Sequence, residues 1–253
     1  MNGFERFSQG MTKIIDFEGL DCCFKETNSK FLTDCLLKWG LKGKRYSFPN
    51  YDSPSSYFVK RWLSNAYDGL NLSVKKDVET IFLLDQMDTL LQIAKEAEEE
   101  DFSFIVLDRF WPSGIYYNSA TNAGGIKSRF DSINAMRKRF QLPFPDVIIG
   151  MESTMPLIID GINRRTPVEE RDKNESDHSF LQGVHQNFKI LMNNIKGYKD
   201  FKYHESILER IQVYCPSEKD PSMNVLKTRE ELWEEFLQLA NKIAVNVIGV
   251  TVC

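Results

Sequence analysis

The sequence predicts an α/β protein: a three-layer arrangement in which a parallel sheet of five strands carries helices on both faces. Two observations lead there. Short, nearly continuous apolar runs alternate along the whole chain with longer segments whose apolar residues recur at helical spacing. Mostly apolar runs of this kind suit strands covered on both sides. A length of 253 residues, 42% hydrophobic and 12% aromatic, also suffices for a sizeable core.

The elements follow in order. Lys13-Ile-Ile-Asp-Phe-Glu18 reads as a buried strand stopped by Gly19. From Thr27 to Trp39, the spacing of Phe31, Cys35, Leu36 and Trp39 predicts a helix that Gly40 ends. Arg45-Tyr-Ser-Phe48 is a second strand closed by Pro49, and Ser55 to Leu63 a short helix. Val78 to Glu99 is a long helix, apolar at first and ending in a run of Glu. Phe102 to Asp108 is a third strand, Asp131 to Phe140 a basic helix, Asp146 to Met151 a fourth strand, and Pro156 to Arg164 a helix. The charged stretch from 164 to 178, which includes Glu169 and Glu170, reads as a mobile loop leading into a helix that ends near Gly197. Arg210 to Cys215 is a fifth strand, Ser217 to Ser222 a polar loop, and Arg229 to about Val247 a final amphipathic helix.

Composition excludes several classes. The apolar content is too high for disorder, and nine Pro with 14 Gly do not suit collagen or a linker. No run approaches the roughly 18 apolar residues of a membrane helix, and Met1 to Met11 has no apolar stretch typical of a secretory signal. A net charge of −4 argues against a general nucleic-acid binder. Cys22, Cys23, Cys35, Cys215 and Cys253 fit neither a zinc site nor a disulfide framework, so reduced thiols in a cytoplasm are expected. Arg129, Arg137, Lys138 and Arg139 are expected to form a solvated basic face.

In parallel sheets ligands bind beyond the carboxyl ends of the strands. The first strand delivers Gly19-Leu-Asp21-Cys22-Cys23-Phe24-Lys25-Glu26-Thr27, and a strand, a loop and a Lys at the start of a helix is the layout of a phosphate-binding loop. The strict pattern has Gly at the position of Phe24 and Ser or Thr at that of Glu26, so taken alone the motif fails to match and reads better as an ordinary strand-to-helix turn with a surface Lys. Other strand ends add Phe48-Pro49, then Asp108-Arg109-Phe110 with Ser113 and Tyr116-Tyr117-Asn118, then Pro145-Asp146. With Phe17-Glu18-Gly19-Leu20-Asp21 and the charged Arg171-Asp172-Lys173-Asn174-Glu175, these motifs resemble, in order and from about residue 13 to 247, the thymidylate kinases, a family of P-loop NTPase fold. The chain looks like a divergent member with an eroded phosphate loop.

The resemblance implies one domain over 1–253, with a lid near 164–178, that moves the γ-phosphoryl of ATP onto dTMP or a related deoxynucleoside monophosphate with Mg2+. It implies that Gly19, Cys22, Cys23, Phe24, Lys25, Glu26 and Thr27 bind ATP, with Lys25 bridging donor phosphates. Asp108 would help to hold the metal's water shell, although an ion pair at a strand end suits it as well. Arg109 would bind the acceptor phosphate, and Arg164, Arg165 and Arg171 are candidates for neutralising the transferred group. Asp21, Phe48, Phe82, Gln86, Tyr117 and Asn118 would surround the acceptor nucleotide. Among them Phe82 would stack on the base, and Gln86 stands where an Arg is usual, which keeps dUMP open as acceptor. Simpler readings stand beside these: a core Phe, a helix cap at Asp21, space-filling thiols against a redox switch at Cys22 and Cys23. The family also implies a homodimer, for which Val78 to Leu91 is apolar enough. Phe24 and Glu26 set against this kinase an alternative, a catalytically impaired nucleotide-binding relative with a regulatory or structural role.

Overall fold

The computed structural model describes residues 3–67, 78–120, 125–167, 170–198, 207–220 and 222–250; Glu169 and Cys253 lie outside them. A short helix α1 (Gly3–Ser8) precedes β1 (Lys13–Glu18), α2 (Lys25–Lys38) and β2 (Gly43–Ser47). Then come α3 (Tyr57–Leu63), α4 (Glu79–Glu99), β3 (Phe104–Asp108), α5 (Trp111–Ser119), α6 (Gly125–Arg139), β4 (Val147–Glu152) and α7 (Met155–Arg165). The chain continues through α8 (Lys173–Ser176), α9 (His178–Asn194), β5 (Ile207–Gln212), β6 (Tyr214–Pro216), β7 (Asn224–Leu226) and α10 (Arg229–Ile243).

The main sheet has the order β2-β3-β1-β4-β5, and every neighbouring pair is parallel. Thus β1 is central, and its loop emerges at the carboxyl edge between β3 and β4. Successive strand residues point to opposite faces. Phe17 stacks on Phe236 of α10 at 5.7 Å between centroids, while Glu18 bonds to α5, so these helices cover opposite faces. Beside Phe17, Phe31 of α2 stacks on Trp233 at 4.7 Å. On the other face, Tyr116 of α5 meets Phe188 of α9 edge-on. At the start of α10, Thr228 caps the helix reciprocally with Glu231, as a box of this spacing should.

Two readings of the sequence are corrected, and one helix without a sequence reading is added. The stretch after Arg109 is helical from Trp111, with Pro112 in its first turn and Trp111, Ile115, Tyr116 and Ser119 buried along one side. The predicted fifth strand is split. Ile207–Gln212 pairs with β4, whereas Tyr214–Pro216 turns away and pairs antiparallel with Asn224–Leu226 across the polar loop. The basic segment of α6 is a solvated face only in part: Lys138 and Arg139 are exposed, whereas Arg129 is half-buried and Arg137 buried. Arg129 is held by the buried Glu79 at 2.7 Å, and Arg137 is buried over the Phe144 ring at 4.0 Å while donating to Leu142 O. A guanidinium can be buried in this way because its donors are met and its plane stacks on aromatics.

Truncation of the sheet-to-helix contact is the direct test of this core. Phe17→Ala, at a fully buried position, is expected to cost about 3–5 kcal/mol, read from urea or thermal unfolding; a loss under about 1 kcal/mol would contradict the packing.

Candidate functional site

Gly19 leaves β1 with φ +148°, and a Cβ there would lie 2.6 Å from Met151 O of β4. Only glycine fits so close to a neighbouring strand. The loop then curls through Cys22 at φ 59° and Phe24 at φ 57°, both left-handed. Phe24 therefore holds the backbone shape in which a glycine is favoured, at a cost of about 1–2 kcal/mol, and its ring is partly exposed. Because no side chain caps α2, the amides of its first turn remain suited to an anion.

Lys25 is buried and donates to Leu20 O at 2.6 Å, which bends it over its own loop. Burial lowers its pKa, and the Arg109 charge lowers it further. Glu26 turns outward and pairs with Lys30 at 2.5 Å, while Thr27 is exposed. Burial raises the pKa of both loop thiols, that of Cys23 to about 12. They are protonated at neutral pH, and the packing of Cys22 against Gly161 favours the space-filling reading.

The end of β1 organises the facing helix. Glu18 is fully buried and accepts from the amides of Phe110 and Ser113 at 3.1 Å each, from Ser113 Oγ at 2.6 Å and from Tyr116 OH at 2.7 Å. Burial raises its pKa while these bonds oppose the rise. Asp16, two residues earlier on the same face, has two buried oxygens without a hydrogen-bond partner. Burial and the nearby Glu18 push its carboxyl well above the usual range.

Arg109, at φ 70°, is fastened from several sides. It donates to Gly19 O at 3.0 Å, to Asp21 at 2.7 Å and to Tyr117 OH at 3.3 Å. Burial works against the charge of Asp21, but Arg109, Lys25 and Arg165 hold its pKa down at about 2. Asp108 is committed to Arg45 of β2, whose Nε also donates to Ser29 Oγ at 2.6 Å. Arg45 was missed in the sequence, although the parallel register places it on the same face as Ser47, the residue opposite Asp108.

Two cavities adjoin at this edge. One, of about 490 Å³, is lined by Asp21, Phe48, Phe82, Gln86, Arg109, Tyr117, Asn118 and Arg165 among others. The second, of about 600 Å³, is lined by residues 21–27, Asp108, Arg109, Arg164 and Arg165. Asp21, Phe48, Arg109 and Arg165 face both. Of the three candidate arginines of the charged stretch, Arg165 at the end of α7 reaches both cavities and pairs with Glu175. Arg164 lines the loop-side cavity and pairs with Asp160. Arg171 donates to Thr166 O and Asn163 instead and lines neither. Asp85, Asp172 and Glu175 also line the larger-walled first cavity, which sequence reading did not foresee. Asn50, where an arginine would be expected from the resemblance, donates its amide N–H to Asp85 at 3.0 Å.

The loop suits a polyphosphate better than a metal. Gly19, the uncapped α2 terminus and Lys25 form a cradle for anionic oxygens. For a divalent cation the residues do not fit as they stand: Asp108 is held by Arg45, Glu26 faces Lys30, and among the described residues no three His, Cys, Asp or Glu side chains could hold a metal.

A five-stranded parallel sheet with flanking helices, and a phosphate-type loop leaving its central strand, define a P-loop α/β fold of the nucleoside monophosphate kinase class. Residues 17–209 match the thymidylate kinase family, and the chain belongs to that family of phosphotransferases, which use ATP and Mg2+. A search of curated proteins found no match. Among the described residues no helix is long and apolar enough to cross a membrane.

The Asp21–Arg109 pair gives a pH test. Its folded pKa of about 2 lies below the ordinary 3.8, so its stabilisation is fully present above the ordinary value and is lost as pH falls through the folded one. The stability difference between the wild type and Asp21→Asn should shrink as pH is lowered from about 4 to about 2. Denaturant midpoints measured across that range check it, and a constant difference would contradict the pairing.

Proposed function

We propose that the chain transfers the γ-phosphoryl group of ATP to a deoxynucleoside monophosphate, dTMP or a related pyrimidine nucleotide. The observation that carries this is the pair of adjoining cavities at the carboxyl edge, sharing Asp21, Arg109 and Arg165. Phosphoryl transfer needs two anionic substrates held end to end, with positive charge where they meet. Phe82, Gln86 and Asn118 hold the acceptor base, Asp21 and Tyr117 the sugar, and Arg109 the acceptor phosphate. Lys25 and the first amides of α2 receive the donor phosphates, and Arg165 stands where the group passes. Magnesium in this family neutralises phosphate charge; in this chain Asp108, the carboxylate nearest that role, is held by Arg45 instead.

In this reading the chain is one domain, acts in the cytoplasm, and closes segment 164–178 over the substrates. It pairs with a second copy through α4, where Leu84 and Leu91 are exposed two turns apart. Light scattering that finds a monomer would count against the pairing.

Specific observations favour a second reading, a catalytically impaired relative that binds a nucleotide in a regulatory or structural role. Phe24 occupies the left-handed position, Glu26 replaces a hydroxyl, and Lys25 bends onto Leu20 O. A coupled ADP-release assay with each deoxynucleoside monophosphate separates the two. Turnover is expected with a pyrimidine acceptor; absence of turnover with all of them, together with absent ATP binding by calorimetry, would remove the kinase reading. Phe24→Gly clears the ring from the approach to the loop. It is expected to tighten ATP binding and to leave stability unchanged or up to about 1 kcal/mol higher.

A further inference from the structure

Gln86 is the buried polar group of the acceptor cavity whose chemistry is unfinished. Residues 79, 82, 83 and 86 recur at helical spacing on α4, and all line the cavity. The Gln86 side chain is 5% exposed, and its Oε1 makes no hydrogen bond. Its neighbours do not supply the missing N–H. Asp85 can only accept, and it already receives the Asn50 amide and Ser55 Oγ at 2.9 Å. Glu79 is bound to Arg129. The other donors that line the cavity, among them Ser113, Tyr117 and Arg109, make no hydrogen bond to Gln86 Oε1. Native proteins rarely leave such an oxygen unsatisfied, so a ligand N–H is the natural partner.

A carboxamide carries a donor and an acceptor side by side. In one orientation it accepts from the N3–H of a 4-oxo pyrimidine and donates to O4. Turned about its terminal bond, it accepts from the 4-amino group of a cytosine-type base and donates to N3. Either arrangement gives Oε1 the hydrogen bond it lacks. A side chain that only donates would leave the 4-amino group facing another donor.

Resting on the kinase reading above, in which Gln86 meets the acceptor base, we infer that its carboxamide admits 4-amino as well as 4-oxo pyrimidine deoxynucleotides. Calorimetric titration of the full chain with dUMP, dTMP, dCMP and dAMP, without ATP, tests this separately from turnover. The expected result is that dCMP binds within about tenfold of dUMP. Gln86→Met keeps the length and removes both hydrogen-bonding atoms. It should weaken dUMP and dCMP alike by roughly tenfold or more, with an unchanged melting temperature or a higher one. Binding of dUMP with dCMP more than tenfold weaker would overturn the inference while leaving the kinase reading intact. So would a Gln86→Met variant that binds both as the wild type does. Failure to bind any of the four would overturn both.

Discussion

The buried carboxylate of Glu18 takes hydrogen bonds from two backbone amides and two hydroxyls at the start of α5. It thereby fixes the helix that carries Tyr117 and Asn118 to the strand that carries the phosphate loop. Arg109 lies between them, and its reach to Gly19 O and Asp21 depends on that spacing. A charge buried this deeply is tolerable only when its acceptors are met. Tyr116 serves twice here, donating to Glu18 and packing against Phe188, so the polar network and the aromatic core are one construction. The raised pKa of Asp16 beneath is consistent with this, since two charges on adjacent same-face positions of one strand would repel in a dry interior.

The two cavities differ in how far they depart from an ordinary nucleotide site. The cavity proposed for the acceptor is lined by Phe82, Gln86, Asn118 and Arg109. At the cavity proposed for the donor the changes fall on the phosphate-type loop and its neighbour: a left-handed Phe24, a Glu26 facing solvent, and an Asp108 held by Arg45. They alter backbone shape, local charge and metal affinity separately, so each can be reverted without the others.

Much of this was legible in the sequence where one physical signal dominated. Lys13–Glu18 is a strand because its apolar run has no other stable place than between two helical layers. Asp21 and Arg109 from strand ends and Phe82, Gln86, Tyr117 and Asn118 from the helices α4 and α5 do meet around one cavity, because parallel topology gathers carboxyl ends and the helix starts beside them. What escaped was decided across the chain rather than along it. Arg45 is polar in a short edge strand, and only the neighbouring strand's register shows that it faces Asp108. Arg137 looks solvated in a basic run, yet Trp111 and Phe144 take it in. Trp111–Ser119 is short and Gly- and Pro-containing, and its helicity comes from burial against α9 and α6 more than from propensity. The split after Gln212 likewise depends on a hairpin partner ten residues away.

The cations of the site share a property that concerns energetics rather than placement. Lys25 rests on Leu20 O, Arg109 on Asp21 and Gly19 O, and Arg165 on Glu175. Each already has an oxygen partner from the protein itself. A phosphate arriving here exchanges one oxygen ligand for another instead of filling an empty electropositive basin. Its affinity is then a difference between two similar attractions, and discrimination passes to whatever else the nucleotide touches. Under the proposed kinase reading the base, held by uncharged groups, would govern which molecule is bound, and the phosphates chiefly where it lies.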